Sequence, residues 1–282
     1  MLSVRHFIAV AALVASAATA VHAQGRRTEE LMRKSGLWDQ VAQMHSQMKR
    51  GVMLAREDAR QRGSPMLDDA SFTRLNGAID RAFARDVLRE TVALQMEELL
   101  PAADEAEVLK WLSSDLGERF TRWEVEAGAT PEAQRETEAA KLLAALTPAR
   151  RAKYVRLGQA LDAGNTVVTL TIGITTAIVY GIALVTPGTD ADVAANGIRS
   201  RMEAQRGPMV RQFAERSLQT YAYVYRNATD AQVEAYVRFV EAPASRRYHA
   251  AGVKALDEAI SQAATMMGKD LGAPAQERRN PS

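Results

Sequence analysis

Twenty-seven consecutive residues, Ala163 to Thr189, carry no charge, and amphipathic, charge-rich segments flank them on both sides. So long an uncharged stretch is driven out of water, and the rest of the chain is arranged around it. Its centre, Val167 to Val185, holds thirteen apolar residues, four Thr and two Gly. Nineteen residues approach the roughly 20 that a membrane-spanning helix needs. The Thr content counts against a span, because each hydroxyl requires a partner in hydrocarbon. Thr169, Gly173, Ala177 and Gly181 recur every four residues and form a ridge on one helical face. Such a ridge admits a close neighbour in a membrane and in a soluble bundle alike. The many β-branched residues lower helix propensity, but no turn signal marks a hairpin of strands. Arg150, Arg151, Lys153 and Arg156 precede the stretch, and Asp190 and Asp192 follow it. If the N-terminus is exported, a span would leave that basic cluster outside, against the positive-inside tendency. The reading is a buried apolar helix over 165–186. The alternative is an inner-membrane anchor at 167–185.

Met1 to Ala23 reads as a secretory signal peptide: Arg5 at the start, an apolar run from Phe7 to Ala20, and Val21-His22-Ala23 as the cleavage site. The expected product is a periplasmic chain cut after Ala23. The cut removes one basic residue, Arg5, and leaves 35 basic against 34 acidic residues. That balance gives no electrostatic reason to expect nucleic acid. The chain has no cysteine, so neither disulfides nor a lipidated cysteine enter the reading.

Helical periodicity runs through the remainder. Thr28 with Glu29 and Glu30 suits a helix start. A helix from Ser35 to about Arg62 carries Leu37, Trp38, Val41, Met44, Met48, Val52 and Ala55 as one apolar stripe, and Gly63-Ser64-Pro65 stops it. Ser71 caps a helix expected to reach Leu100 before Pro101, with Phe72, Leu75, Ile79, Phe83, Val87 and Leu94 on its buried face. A short helix from Ala102 carries Val108, Trp111 and Leu112 to a turn at Ser114–Gly117. Gly128 to Glu138 marks the boundary between halves. Thr147-Pro148 starts a helix that leads into the apolar stretch through a break at Gly164-Asn165. After Thr186-Pro187-Gly188 come a helix to Gln205, an interruption at Gly207-Pro208, and a helix from Met209 to Arg226 with Tyr221, Tyr223 and Tyr225. Thr229-Asp-Ala-Gln232 is a capping box. Its helix stops before Pro243, and the last one runs towards Met267. The expectation is an all-α helical bundle of two similar halves, 24–128 and 129–267, packed around the central helix. A disordered tail is expected over 268–282.

Familiar catalytic patterns are missing. The mature chain has two histidines, His45 and His249, and neither has a second histidine one turn away. No zinc spacing, nucleophile elbow or phosphate loop is present. The reading assigns no catalytic, cofactor-binding or metal-ligating residue and no cofactor, and takes the chain as no enzyme.

The run Thr229-Asp-Ala-Gln-Val-Glu-Ala-Tyr-Val-Arg-Phe-Val-Glu-Ala-Pro-Ala-Ser-Arg-Arg-Tyr248 resembles the exported bacterial family called domain of unknown function 2059. Phe239 and Pro243 match its motif, while Ala242 stands in place of Ser and Ser245 in place of Gly. The resemblance implies a small all-helical envelope protein and no activity.

The same motif recurs at an offset of 128. Trp111 falls on Phe239, Val108 on Tyr236, Leu112 on Val240, Gly117 on Ser245 and Phe120 on Tyr248. This predicts an internal repeat with two helix–helix corners. The functional expectation is an exported envelope protein acting through an envelope protein partner or self-association. The alternatives are the membrane anchor and a carrier of an apolar ligand held between helices.

Overall fold

The computed structural model describes Gly25, residues 27–63 and residues 68–277. The leader expected over 1–23 and the Ser64-Pro65 stop lie outside the described residues. Among the described residues the chain forms thirteen helices and no strand, an all-α helical bundle. They are α1 (27–34), α2 (Leu37–Gln61), α3 (Asp69–Ala82), α4 (Arg85–Leu99), α5 (Ala102–Leu112), α6 (Asp115–Ala129) and α7 (Glu132–Ala144), followed by α8 (Pro148–Ala160), α9 (Ala163–Val185), α10 (Ala191–Ala204), α11 (Arg206–Val224), α12 (Asp230–Glu241) and α13 (Pro243–Glu277).

The uncharged stretch is α9. It packs against α2, α3, α8, α10, α11 and α13, and Val167 is its one exposed residue, at 37%. Its small ridge is used as a contact. A Cβ on Gly181 would lie 2.8 Å from Met267 Cε and 3.0 Å from Leu75 Cδ1, and one on Gly173 would lie 3.2 Å from Asp257 Oδ1. Ala177, between them, is 2% exposed. Gly164 permits another crossing: a Cβ there would lie 2.6 Å from the Val210 carbonyl oxygen on α11.

Two apolar cores lie side by side. The first is built from α1 to α5 with parts of α9 and α13, the second from α6, α7, α8, α11 and α12. Core membership crosses residue 128 in both directions. Phe120 and Ala127 belong to the second core, while Tyr248, Leu256 and Met267 belong to the first. Trp111 and Phe239 pack against both.

Local signals set most helix starts. Thr147 accepts from Arg150 N at 3.2 Å, Asp190 from Val193 N at 3.0 Å, and Thr229 forms its capping box with Gln232. The basic cluster before α9 is absorbed by the fold. Arg150 is 8% exposed and donates to Asp230 Oδ1 (2.7 Å), Tyr154 Oη (3.0 Å) and the carbonyls of Tyr225 (2.9 Å) and Ala228 (2.8 Å). Arg156 spans Glu234 and Glu241 on α12, and Arg151 pairs with Glu215 on α11.

Four expectations need correction. The helix expected from Ser71 to Leu100 is two, α3 and α4, broken at Phe83 and Ala84. Asp68 is the cap of α3, accepting from Ser71 N at 2.6 Å. Phe83 is fully buried, and after it the apolar period restarts out of phase at Leu88, Val92 and Met96, leaving Leu94 57% exposed. The break before α9 lies at Asp162, which is left-handed (φ 47°) with Asn165 Nδ2 donating to its Oδ1 at 2.9 Å. Gly164 sits inside the helix because α11 crosses there. Between α10 and α11 the break lies at Gln205, so Gly207-Pro208 occupies the first turn of α11, where proline's missing N–H costs little. The expected tail is helical through Glu277. It is tied to α3 by Arg81, whose Nε donates to Asp270 at 2.7 Å, and by Arg74, which donates to the Leu271 carbonyl at 3.3 Å.

The crossing at Gly164 makes a direct test. Gly164→Ala should destabilise by about 1–3 kcal/mol through overpacking against backbone. Gly197→Ala, in α10 with nothing within 4 Å of a new Cβ, should stabilise by about 0.5–1 kcal/mol. Urea denaturation measures both, and a Gly164→Ala protein as stable as wild type would mean that α9 and α11 do not cross closely.

Candidate functional site

Two tight corners frame the junction of the cores. At the first, Ser114 accepts from Gly117 N at 3.1 Å and starts α6. Gly117 is required there, because a Cβ would collide with the Trp111 carbonyl. At the second, Pro243 occupies the first position of α13, where its fixed φ suits the helix. Ser245 follows it, 1% exposed, with an Oγ that has no partner.

The corners bring Trp111 and Phe239 face to face, ring centroids 3.9 Å apart and planes 6° from parallel. Tyr236 stacks on Trp111 at 5.3 Å and lies 4.3 Å from Phe120. Tyr225 joins them, 5.1 Å from Phe120. The run Tyr221–Tyr225 at the end of α11 is buried in this cluster.

Beside the cluster lies a cavity of about 320 Å³. Phe120, Thr121 and Glu124 of α6 and Tyr248, His249 and Gly252 of α13 line it, three pairs of positions each 128 residues apart. Trp111, Tyr221, Tyr236 and Phe239 add aromatic surface, and the first turns of α9 line one side with Ala163, Thr166 and Val167.

Among the described residues Glu124 is its one carboxylate, and no Lys or Arg lines it. Tyr225 Oη donates to Glu124 Oε1 at 2.7 Å and Tyr236 Oη donates to the same oxygen at 3.1 Å. Burial pushes the Glu124 carboxyl above the usual range, the two phenol hydrogen bonds opposing it. Burial, and then the nearby Glu124, raise the phenols of Tyr225 and Tyr236 well above theirs. Tyr248 is pushed up to about 12, chiefly by burial. His249 is held down to about 4 by burial, and its Nε2 has no partner. At neutral pH the imidazole is uncharged.

The small ridge of α9 borders a different hollow of about 260 Å³, lined by Thr176, Asp192, Asn196, Arg199 and Asp257 among others. The other histidine among the described residues, His45, is not in the cavity lining and bonds Asp80 at 2.8 Å. Among the described residues no three His, Cys, Asp or Glu side chains gather as a metal site would require.

The sequence reading named none of the cavity's polar groups as a site. Glu124 carried a usable signal: it lies four residues after Phe120 and three before Ala127, an acid inside the buried stripe of an amphipathic helix. His249 likewise lies four residues after Ser245 and three before Gly252, both buried, on α13. Comparisons with family models, curated proteins and solved structures find no match to this chain.

His249 predicts a pH dependence of stability. Its pKa is lower in the folded chain than in the unfolded one, so the unfolded chain takes up the proton first as pH falls. The contribution is complete above about 6.5 and is lost as pH drops through about 4. At pH 5 the loss is about 2 kcal/mol. Glu124, shifted upward, works in the opposite sense. Urea unfolding of wild type and His249→Gln at pH 7.5 and pH 5 isolates the histidine, since the variant should lose less stability. Equal losses would place the imidazole in contact with water.

Proposed function

We propose that the protein is an exported, non-enzymatic helical binding protein that encloses one small, largely apolar molecule between its two cores. The observation that carries this reading is the cavity of about 320 Å³ with a continuous aromatic wall and a single fixed carboxylate. Small-molecule sites combine these features: mostly apolar lining, a few placed polar groups, and a volume of roughly 300 Å³ upward. Acid–base chemistry is the weaker reading. Its groups work best with pKa values near the working pH, and His249 lies far below it. Large exposed apolar side chains such as Leu54, Leu94 and Val193 lie on α2, α4 and α10. No single helix face gathers them, so action through a protein partner has less support.

The test is binding of small aromatic probes by ligand-observed NMR, with Gly252→Leu as control. A Cβ at Gly252 meets nothing within 4 Å and the residue lines the cavity, so leucine fills space without displacing backbone. Probe signals should be strong for wild type and vanish for the variant, while the melting temperature holds. Equal signals from both proteins would remove the cavity from the function.

The proposed setting is the periplasm. Among the described residues α9 is the one helix long and apolar enough to cross a membrane. Its packing against six helices and the pairing of the preceding cations support a core role. Cells expressing the full chain should yield a protein that starts at Gln24 and is released by carbonate. A protein retained in the membrane pellet would make α9 a span. The two corners, with facing Trp111 and Phe239 and three paired cavity positions, support the proposal that the fold arose by internal duplication. Together with the run Thr229–Tyr248, they also favour kinship with the family that run resembles.

A further inference from the structure

Building on that binding reading, we infer that the cavity selects an organic cation, a small amine whose ammonium group sits against Glu124 and whose hydrocarbon body lies along the aromatic wall. The charge of the lining is the first argument. Among the described residues of the lining Glu124 is the one carboxylate, no Lys or Arg is present, and the His249 imidazole is neutral. An anionic ligand would meet no cation. An ammonium would meet the group whose ionised form it stabilises, and the pair would be neutral overall.

Hydrogen-bond capacity is the second argument. A carboxylate has room for about four donors. Glu124 lines the cavity, and its Oε1 accepts from two phenols, whereas Oε2 accepts from no described residue. An acceptor left facing an apolar ligand is costly, and one that receives N⁺–H donors makes strong, charge-assisted bonds.

The wall supplies the third argument. Trp111, Phe120, Tyr221, Tyr236 and Tyr248 line the cavity. Aromatic faces attract cations through their quadrupole, and the attraction grows when water is excluded. The same surface packs against a neutral alkyl group without this added attraction and is unfavourable to a carboxylate.

Three probes of nearly equal size separate the possibilities: 2-phenylethylamine, 2-phenylethanol and 3-phenylpropionate, titrated into the full-length mature protein by calorimetry at pH 8. The amine should bind at least about tenfold more tightly than the alcohol, the size of one favourable charged contact, and the propionate most weakly. Glu124→Gln keeps a carbonyl acceptor for the two phenols, and should bring the amine to within about threefold of the alcohol without weakening the alcohol. In wild type the ratio of amine to alcohol affinity should fall as pH is lowered and Glu124 takes up a proton. That measurement stands in if the variant fails to fold. An alcohol or propionate that matches the amine, or a Glu124→Gln protein that keeps the preference, overturns cation selection and leaves the binding reading standing. Failure of all three probes to bind wild type overturns both.

Discussion

An uncharged helix of 23 residues offers no face of its own to water, so the other helices are placed by the need to cover α9. Coverage from six helices requires them to come close, and glycine supplies the room. Gly164 lets α11 approach, Gly181 receives Met267 and Leu75, Gly268 of α13 accommodates Tyr180, and Gly51 of α2 accommodates Ile178. These contacts explain why a segment rich in Val, Ile and Thr is helical despite its modest propensity. Packing against six helices outweighs the few tenths of a kcal/mol per residue that separate β-branched residues from alanine.

Covering α9 from opposite ends of the chain is also what creates the cavity. α13 lies along α9 and reaches back to α3, α4 and α5, while α11 and α8 hold α9 from the second core. The two cores meet through large rings at the corners, and beside those rings the residues become small: Ala163, Thr121 and Gly252. Glu124, Thr166, Ser217 and Gln40 in the lining give water or a ligand hydrogen-bond partners.

What was legible in the sequence was local. Thr147 and Thr229 cap the helices they were expected to start, and Ser114 caps α6 at the expected turn, because a cap depends on residues within one turn. The apolar stripes of α2 and α12 were legible for the same reason. The break at Phe83 was not, because neither Gly nor Pro marks it. Its trace is the step of five from Phe83 to Leu88, which rotates the stripe of α4 and leaves Leu94 in water. The left-handed Asp162 was hidden by Gly164, a stronger turn signal two residues on that serves a crossing instead. Burial of Arg150 depends on carbonyls of Tyr225 and Ala228, about 75 residues away, and no local pattern announces such a partner. Glu124 lies between these cases: its place on a buried stripe could be read, but its two phenol partners come from α11 and α12.

Those partners decide what the acid can do. Burial favours the neutral form of Glu124 and also the neutral form of His249, so the lining prefers to carry no charge. The two phenol donors act against that preference on the carboxylate alone, and they come from side chains that are themselves buried and packed. Glu124 can therefore ionise without searching for a new partner, since Oε1 is already held in the geometry that the anion needs. His249 has no matching arrangement, because its Nε2 meets neither an acceptor nor a donor. The same low-dielectric enclosure thus gives two ionisable groups unequal freedom. Negative charge can form at α6, where the fold has placed hydrogen bonds in advance, and positive charge is resisted at α13, where it has not.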